Sequence, residues 1–164
     1  MSVKVAVTNR QAVCRVHPAR LKRLTAYFMQ RVEALTPRRH WRDVHVVLTA
    51  DAEIANVNER FLKHAGATDV ISFCYEAMSG NQEAVDAEIL VNVQRALAVG
   101  PCFGGVSREL ALYVAHGCDH LSGANDRTAK QRRRMRQREL RWRRKAEALG
   151  LMTGLMGPEF RHRR

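Results

Sequence analysis

The spacing of apolar side chains along the first half of the chain predicts alternating strands and helices. Apolar and polar residues alternate in VKVAVTN (3–9), a valine-rich pattern typical of a half-buried strand. From Pro18 to Leu35 apolar residues recur every three or four positions, which predicts an amphipathic helix that ends before Pro37. Three further segments continue this order: a strand at 43–50, a helix at 51–64 that begins at an Asp51 N-cap, and a strand at 68–76.

The region from residue 79 to Gly123 predicts a hairpin followed by a helix. SGNQ (79–82) is typical of a turn, and AEILVNV (87–93) predicts a fourth strand that pairs with the third. GPCFGG then interrupts the periodicity. A helix is expected from Ser107, its predicted cap, to about Leu121, ended by Gly123.

The last predicted element is a long helix. Thr128 and Gln131 have the spacing of a capping box, and an apolar stripe continues up to Gly150. We therefore predict an α+β fold, in which a small mixed β-sheet of about four strands packs with about five helices. Residues 1–150 would form this single domain, and residues 151–164 a basic, flexible C-terminal tail.

Composition adds a partner class to this picture. The 28 Lys and Arg outnumber the 16 Asp and Glu, so the formal net charge is +12, which indicates a polyanionic partner. The start of the chain has no apolar signal-peptide core, and no segment approaches the roughly 18 apolar residues of a membrane span. We expect no membrane association and a cytoplasmic protein. The four cysteines are far apart, so we expect them to be reduced and mostly buried.

The stretch HGCDHLSGAND (116–126) carries the candidate chemistry. His116 and His120 share one face of the predicted helix, where such a pair is also typical of histidines that only satisfy local hydrogen bonds. Gly123 ends the helix, so Asp126 can return to the two imidazoles and complete a three-ligand site. Two histidines and one carboxylate leave a fourth position for a metal-bound water, the expected nucleophile of a catalytic zinc site.

These residues resemble a known family. HGCDHLSGAND is similar to the HGxLHLxGYxH signature of the YbeY endoribonucleases, in the variant in which Asp replaces the final histidine. VNERFLKHAGATDVISFCYE (57–76) resembles the family's LNxxYRxxDxPTDVLSFP segment, and the similarity continues through AEILVN and MRQRE over roughly residues 40–148. The resemblance implies one Zn²⁺ per chain, bound by His116, His120 and Asp126 at the end of a core helix.

Three positions depart from the family pattern. Asp119 stands where leucine is usual, Ala124 where tyrosine is usual, and Leu62 where the family has an arginine linked to activity. Lys63 is the nearest cation that could replace that arginine. Asp119 could accept a hydrogen bond from a ligand imidazole or a proton from the metal-bound water, or it could be a solvent-exposed carboxylate.

The predicted final helix is strongly basic. Ten Lys or Arg and a single acid, Glu139, lie between Lys130 and Lys145, which indicates contacts to nucleic-acid phosphates. The candidate RNA-binding residues are Arg132, Arg133, Arg134, Arg136 and Lys63. No motif for duplex DNA accompanies them, so DNA is not expected. The family resemblance implies single-stranded RNA as substrate, including ribosomal RNA precursors near the 3′ end of the small-subunit RNA, with a role in ribosome maturation and quality control.

Three functional hypotheses follow. The leading one is a zinc-dependent, single-strand-specific endoribonuclease. A metallopeptidase is disfavoured because zincins place a glutamate directly after the first histidine, where this chain has Gly117. The third is a non-catalytic ribosome assembly factor that binds RNA and has a structural metal, and the three unusual positions keep this alternative open.

Overall fold

The computed structural model describes residues 3–76 and 84–157, and its four strands form one mixed sheet. The strands are β1 (Lys4–Asn9), β2 (His40–Thr49), β3 (Val70–Glu76) and β4 (Ala84–Asn92), in the order β1-β2-β4-β3. β1, β2 and β4 are parallel neighbours, and β3 pairs with β4 in antiparallel orientation. The predicted sheet and hairpin pairing are therefore confirmed, whereas the predicted turn at 79–82 lies outside the described residues.

Five α-helices complete the predicted α+β architecture. They are α1 (Pro18–Leu35), α2 (Asp51–Val57), α3 (Val93–Val99), α4 (Val106–Leu121) and α5 (Ala129–Ala148). A π-helical turn, Asn58–Leu62, extends α2, and a 3₁₀ turn, Gly100–Phe103, follows α3. The predicted capping box of α5 is confirmed, because the Thr128 hydroxyl accepts from the Gln131 backbone N–H while the Gln131 amide oxygen accepts from that of Thr128.

Two predicted helix caps are wrong. The helix predicted to begin at Ser107 begins at Val106 after Gly105, whose φ of 120° suits only glycine, and no side chain caps it. Asp51 is the first residue of α2 and not its cap, and its carboxylate accepts a hydrogen bond from the Asn92 side chain at 2.7 Å. Helix α3 has no counterpart in the sequence prediction, because its seven residues are too few to show a helical period.

The sheet is covered unequally on its two faces. Helices α1 and α4 pack on one face, over the large core to which inward residues such as Val46 and Ile89 belong. The other face has a smaller cluster beneath α2, made of Val47, Ile54, Ile71 and Leu90. The alternation of Val46 and Val47 between these clusters is the two-residue period of a strand covered on both faces. Helix α4 is therefore a core helix.

Gly117 determines how closely α4 approaches the sheet. A Cβ atom at this position would lie 2.6 Å from Cγ2 of Ile89 and 2.9 Å from Cγ2 of Val70, closer than packed carbon atoms approach. The Ser72 hydroxyl also donates a hydrogen bond to the Gly117 carbonyl at 2.8 Å. Because successive helical residues are rotated by about 100°, contact at Gly117 sets the directions of all its helical neighbours.

The predicted flexible tail is wrong for residues 151–157. Leu155 is fully buried and Met152 nearly so, because both join the large core. The backbone N–H of His17 donates to the Leu155 carbonyl at 2.9 Å, and Val16 forms a β-bridge with Met156. Residues 158–164 lie outside the described part of the chain.

The expectation for the cysteines is only partly met. All four are free, but only Cys118 is buried, whereas Cys14 is half-buried and Cys74 and Cys102 are exposed. Among the residues the structure describes, no helix is both long and apolar enough to cross a membrane.

A candidate metal centre in an arginine-lined cleft

The two predicted histidine ligands converge at the end of α4. Nε2 of His116 lies 3.1 Å from Nε2 of His120, one helical turn further on. Asp126, in the loop after α4, brings a carboxylate oxygen to the same point, so one ligand atom from each of the three residues lies within 4.8 Å of the others. The structure therefore brings together all three predicted ligands.

The second nitrogen of each ring identifies the tautomer. Nδ1 of His116 lies 2.6 Å from Oε1 of Glu139, and Nδ1 of His120 lies 3.1 Å from the Ala124 carbonyl oxygen. Because a carboxylate and a carbonyl only accept hydrogen bonds, both Nδ1 atoms carry the proton. In the neutral form of each ring the Nε2 lone pair then faces the shared space, where it is available to a cation.

This donor set fits zinc. Two imidazole nitrogens and one carboxylate oxygen are ligands typical of a catalytic zinc site. Zinc–nitrogen bonds of about 2.0–2.1 Å at a tetrahedral angle separate the nitrogens by roughly 3.3–3.4 Å, close to the 3.1 Å between the two Nε2 atoms. Burial opposes protonation of His116, but the hydrogen bond and charge of Glu139 outweigh it and raise the pKa of His116.

The loop that carries Asp126 is held at both ends. Gly123, with a φ of 88°, turns the chain at the end of α4, and its N–H donates to the His120 carbonyl at 3.0 Å. On the far side, Nη1 of Arg132 donates to the Asp126 carbonyl at 3.0 Å and to the Arg127 carbonyl at 3.3 Å. The first turn of α5 therefore positions the third ligand.

The candidate metal centre opens into a cleft of about 410 Å³. The residues lining it are Asp69, Leu112, Tyr113, His116, Asp126, Arg132, Arg133, Met135, Arg136 and Glu139. Three of the five predicted RNA-binding cations are thus in the cleft wall. Burial, followed by the charge of Glu109 and a hydrogen bond to it, raises the pKa of Tyr113, so its phenol stays protonated.

Two predicted RNA-binding residues are not brought to this cleft. Arg134 is exposed on α5 and is not among the described residues that line the cleft. Lys63 lies after the π-helical turn with a φ of 57°, where its ammonium group donates to the Arg60 carbonyl at 3.1 Å. The structure therefore does not support Lys63 as a replacement for the arginine whose place Leu62 takes.

Asp119 has none of the roles that its position predicts. It is fully buried, and its carboxylate accepts hydrogen bonds from Nε of Arg138 at 2.9 Å and from Ser122. Nη2 of Arg138 approaches to 2.7 Å, which completes a bidentate ion pair between α4 and α5. Burial raises the pKa of Asp119 although Arg138 opposes this shift. The carboxylate is neither exposed nor hydrogen-bonded to a ligand imidazole.

Glu139 is the imidazole partner that sequence reasoning missed. It is noticeable in the sequence only as the single acid between Lys130 and Lys145. A signal was nevertheless present, because Glu139 is four residues after Met135 and seven before Ala146, in register with the buried stripe of α5. A lone acid in an apolar stripe requires a buried partner, and here that partner is His116.

The fold and the site define an α+β protein with a candidate His–His–Asp metal centre in a basic cleft. Comparison with known proteins gives the family. A family model described as Endoribonuclease YbeY matches residues 6–147. The Endoribonuclease YbeY of Elusimicrobium minutum (strain Pei191) is 35% identical over 95 residues, which are 57% of this chain and 66% of that protein. The protein of the same name from Solibacter usitatus (strain Ellin6076) is 37% identical over 111 residues, 67% of this chain and 68% of that protein.

The chain belongs to the YbeY endoribonuclease family, as the sequence motifs predicted. The matched stretches span about two thirds of the length of these curated relatives. A solved structure has a similar fold: the solution structure of TM1509 from Thermotoga maritima matches with a TM-score of 0.54 at 18% identity, covering 92% of this chain and 94% of that chain. At this identity the likeness concerns the fold alone.

Proposed function

We propose that this protein is a zinc-dependent endoribonuclease that cleaves single-stranded RNA. One Zn²⁺ per chain would be bound by His116, His120 and Asp126. The observation that carries the proposal is the convergence of the two Nε2 atoms, 3.1 Å apart, in a cleft whose wall contains three arginines. Membership of an endoribonuclease family supports the same reaction.

The side chains of the cleft match the needs of phosphodiester cleavage. Arg133 and Arg136 can neutralise a phosphate and the charge that develops on it, while Arg132 also holds the ligand loop. A bound zinc ion would supply a Lewis acid for a phosphate oxygen and for water.

The biological substrate that we propose is ribosomal RNA precursor. The +12 formal charge and the arginine-rich wall favour a polyanion. Cleft arginines that bind phosphates, rather than the base edges of a duplex, favour a single strand. From membership of the YbeY family we further propose that the protein acts in maturation of the small-subunit RNA 3′ end and in quality control of the small ribosomal subunit, in the cytoplasm.

Removal of one ligand tests the proposal most directly. His116→Ala should lose bound zinc and reduce cleavage of single-stranded RNA more than about 100-fold, because loss of an outer partner alone typically costs 10–100-fold in affinity or activity. Metal content and cleavage are measured on the same purified protein. His64→Ala, at an exposed histidine outside the cleft, is the matched control. Full cleavage by metal-free His116→Ala would contradict the proposal.

A substrate panel separates the alternatives. The protein is incubated, with and without chelator, on single-stranded RNA, duplex RNA and casein, and only the first should be cleaved, in a chelator-sensitive reaction. RNA binding without cleavage, insensitive to chelator, would instead identify an assembly factor. Cleavage of casein would indicate a peptidase, although Gly117 leaves no room for a zincin glutamate, since even a Cβ there meets Ile89 at 2.6 Å.

A further inference from the structure

Glu139 combines burial with a partner that carries no fixed charge. Its side chain is only 2% exposed and reaches from α5 to His116. The same helix offers many arginines, yet the hydrogen bond that the structure gives the Glu139 carboxylate is to an imidazole nitrogen at 2.6 Å. Burial of a carboxylate destabilises the folded protein unless a positive charge lies near it.

Arg138, the residue next to Glu139, forms a buried ion pair with Asp119 that serves as a comparison. Arg138 and Asp119 join a full positive and a full negative charge through short contacts between the same two helices. The pair of Glu139 and His116 is incomplete in comparison, because a neutral imidazole contributes no charge. A cation at Nε2 of His116, the atom that faces the cleft and His120, would supply the missing positive charge.

We propose that Glu139 is a positioning residue for the metal, which fixes the His116 tautomer and ring orientation and whose negative charge strengthens cation binding at Nε2. This proposal rests on the metal site of the proposed function. It predicts that the Nδ1 partner of His116 contributes more to zinc affinity than the Nδ1 partner of His120, which is the neutral Ala124 carbonyl. The negative charge next to the site is therefore that of Glu139 on α5, the helix whose arginines line the cleft.

Two substitutions separate hydrogen bonding from charge. Glu139→Ala removes both, and zinc affinity should fall about 10–100-fold, the usual cost of losing an outer partner of a ligand histidine. Glu139→Gln keeps an oxygen that accepts the Nδ1–H but removes the charge, so zinc affinity should fall less. Affinity is measured by competition with a chromogenic chelator. Long-range ¹⁵N–¹H spectra of His116 should show the Nδ1–H tautomer in the wild type and Glu139→Gln, and a mixture in Glu139→Ala.

Asp119→Asn is the matched control, because it weakens the neighbouring buried pair on the same two helices without contact to His116. It should lower thermal stability while zinc affinity and the His116 tautomer stay unchanged. Wild-type zinc affinity in Glu139→Gln overturns the proposal, and this isosteric variant decides the matter if Glu139→Ala does not fold. A wild-type protein that binds no zinc would refute the proposed metal site itself, which is a distinguishable result.

Discussion

Two buried acids in the interface between α4 and α5 behave in opposite ways. Asp119 forms a closed bidentate pair with Arg138, whereas Glu139 is bonded to an imidazole whose other nitrogen faces the cleft. The four residues come from neighbouring positions on the same two helices. One pair therefore joins two full charges in the folded protein, and in our proposal the other is completed by a bound cation. The same interface can thus stabilise the fold at one position and prepare a binding site at the next.

The orientation of α4 causes this difference. Gly117 lies against the sheet, so Asp119, about 200° further around the helix, points to the opposite side, towards α5. His116 and His120 lie about 100° and 60° from the Gly117 direction, at the side where the cleft opens. A buried aspartate and a cleft-facing histidine pair therefore follow from a single close contact.

The largest expected effect comes from breaking the closed pair at its cation. Arg138→Met should lower the free energy of unfolding by about 3–5 kcal/mol, because it leaves the fully buried Asp119 carboxylate without a counter-charge. Urea unfolding measures this change. Zinc affinity of the folded fraction should remain that of the wild type, so a large loss of affinity would show that the two pairs are not separable.

A double substitution is the control for this result. Asp119→Leu combined with Arg138→Met replaces both charges with apolar groups and introduces the leucine usual in the family. Much of the lost free energy should return, since replacing a whole buried ion pair is often neutral or stabilising. If the double variant is as unstable as Arg138→Met alone, then packing and not charge accounts for the loss.

A smaller effect is expected where α4 meets the sheet. Gly117→Ala places a methyl group 2.6 Å from Ile89 Cγ2, and overpacking of this kind costs about 1–3 kcal/mol. Because the helix must move or rotate, both interface pairs should be disturbed, and zinc affinity should fall together with thermal stability. Reduced stability with wild-type zinc affinity would contradict the idea that Gly117 orients the histidines. The double variant with Val70→Ala, which removes one clashing methyl, should be less unstable than the sum of the single changes.

The smallest expected effect concerns a single arginine of α5 that lines the cleft. Arg133→Ala should weaken binding of single-stranded RNA and reduce the slope of log affinity against log salt by about 0.7, the value for one phosphate contact on a single strand. Arg134→Ala is the matched control, since Arg134 is exposed but does not line the cleft. Fluorescence anisotropy at several salt concentrations measures both. Equal effects would show that RNA follows the whole helix and not the cleft.

Sequence reasoning succeeded where structure depends on neighbouring residues. The Thr128 and Gln131 capping box, the Pro18 helix start and the hairpin of β3 and β4 were all predicted, because caps and short-range pairings are specified within a few residues. It failed at α3 and at residues 151–157, which owe their order to burial against distant parts of the chain. Leu155, for example, is held by the region around His17.

The candidate site shows the same contrast between features specified by neighbouring residues and features that depend on distant ones. The four-residue spacing of His116 and His120, the stop at Gly123 and the return of Asp126 were determined by the sequence alone, because one helix and one turn supply all three ligands. Only the tertiary structure decided that Asp119 pairs with Arg138 and that Glu139 holds His116. These partners are separated by 19 and 23 residues. Their contacts depend on the angle at which α5 packs on α4, which no local pattern specifies.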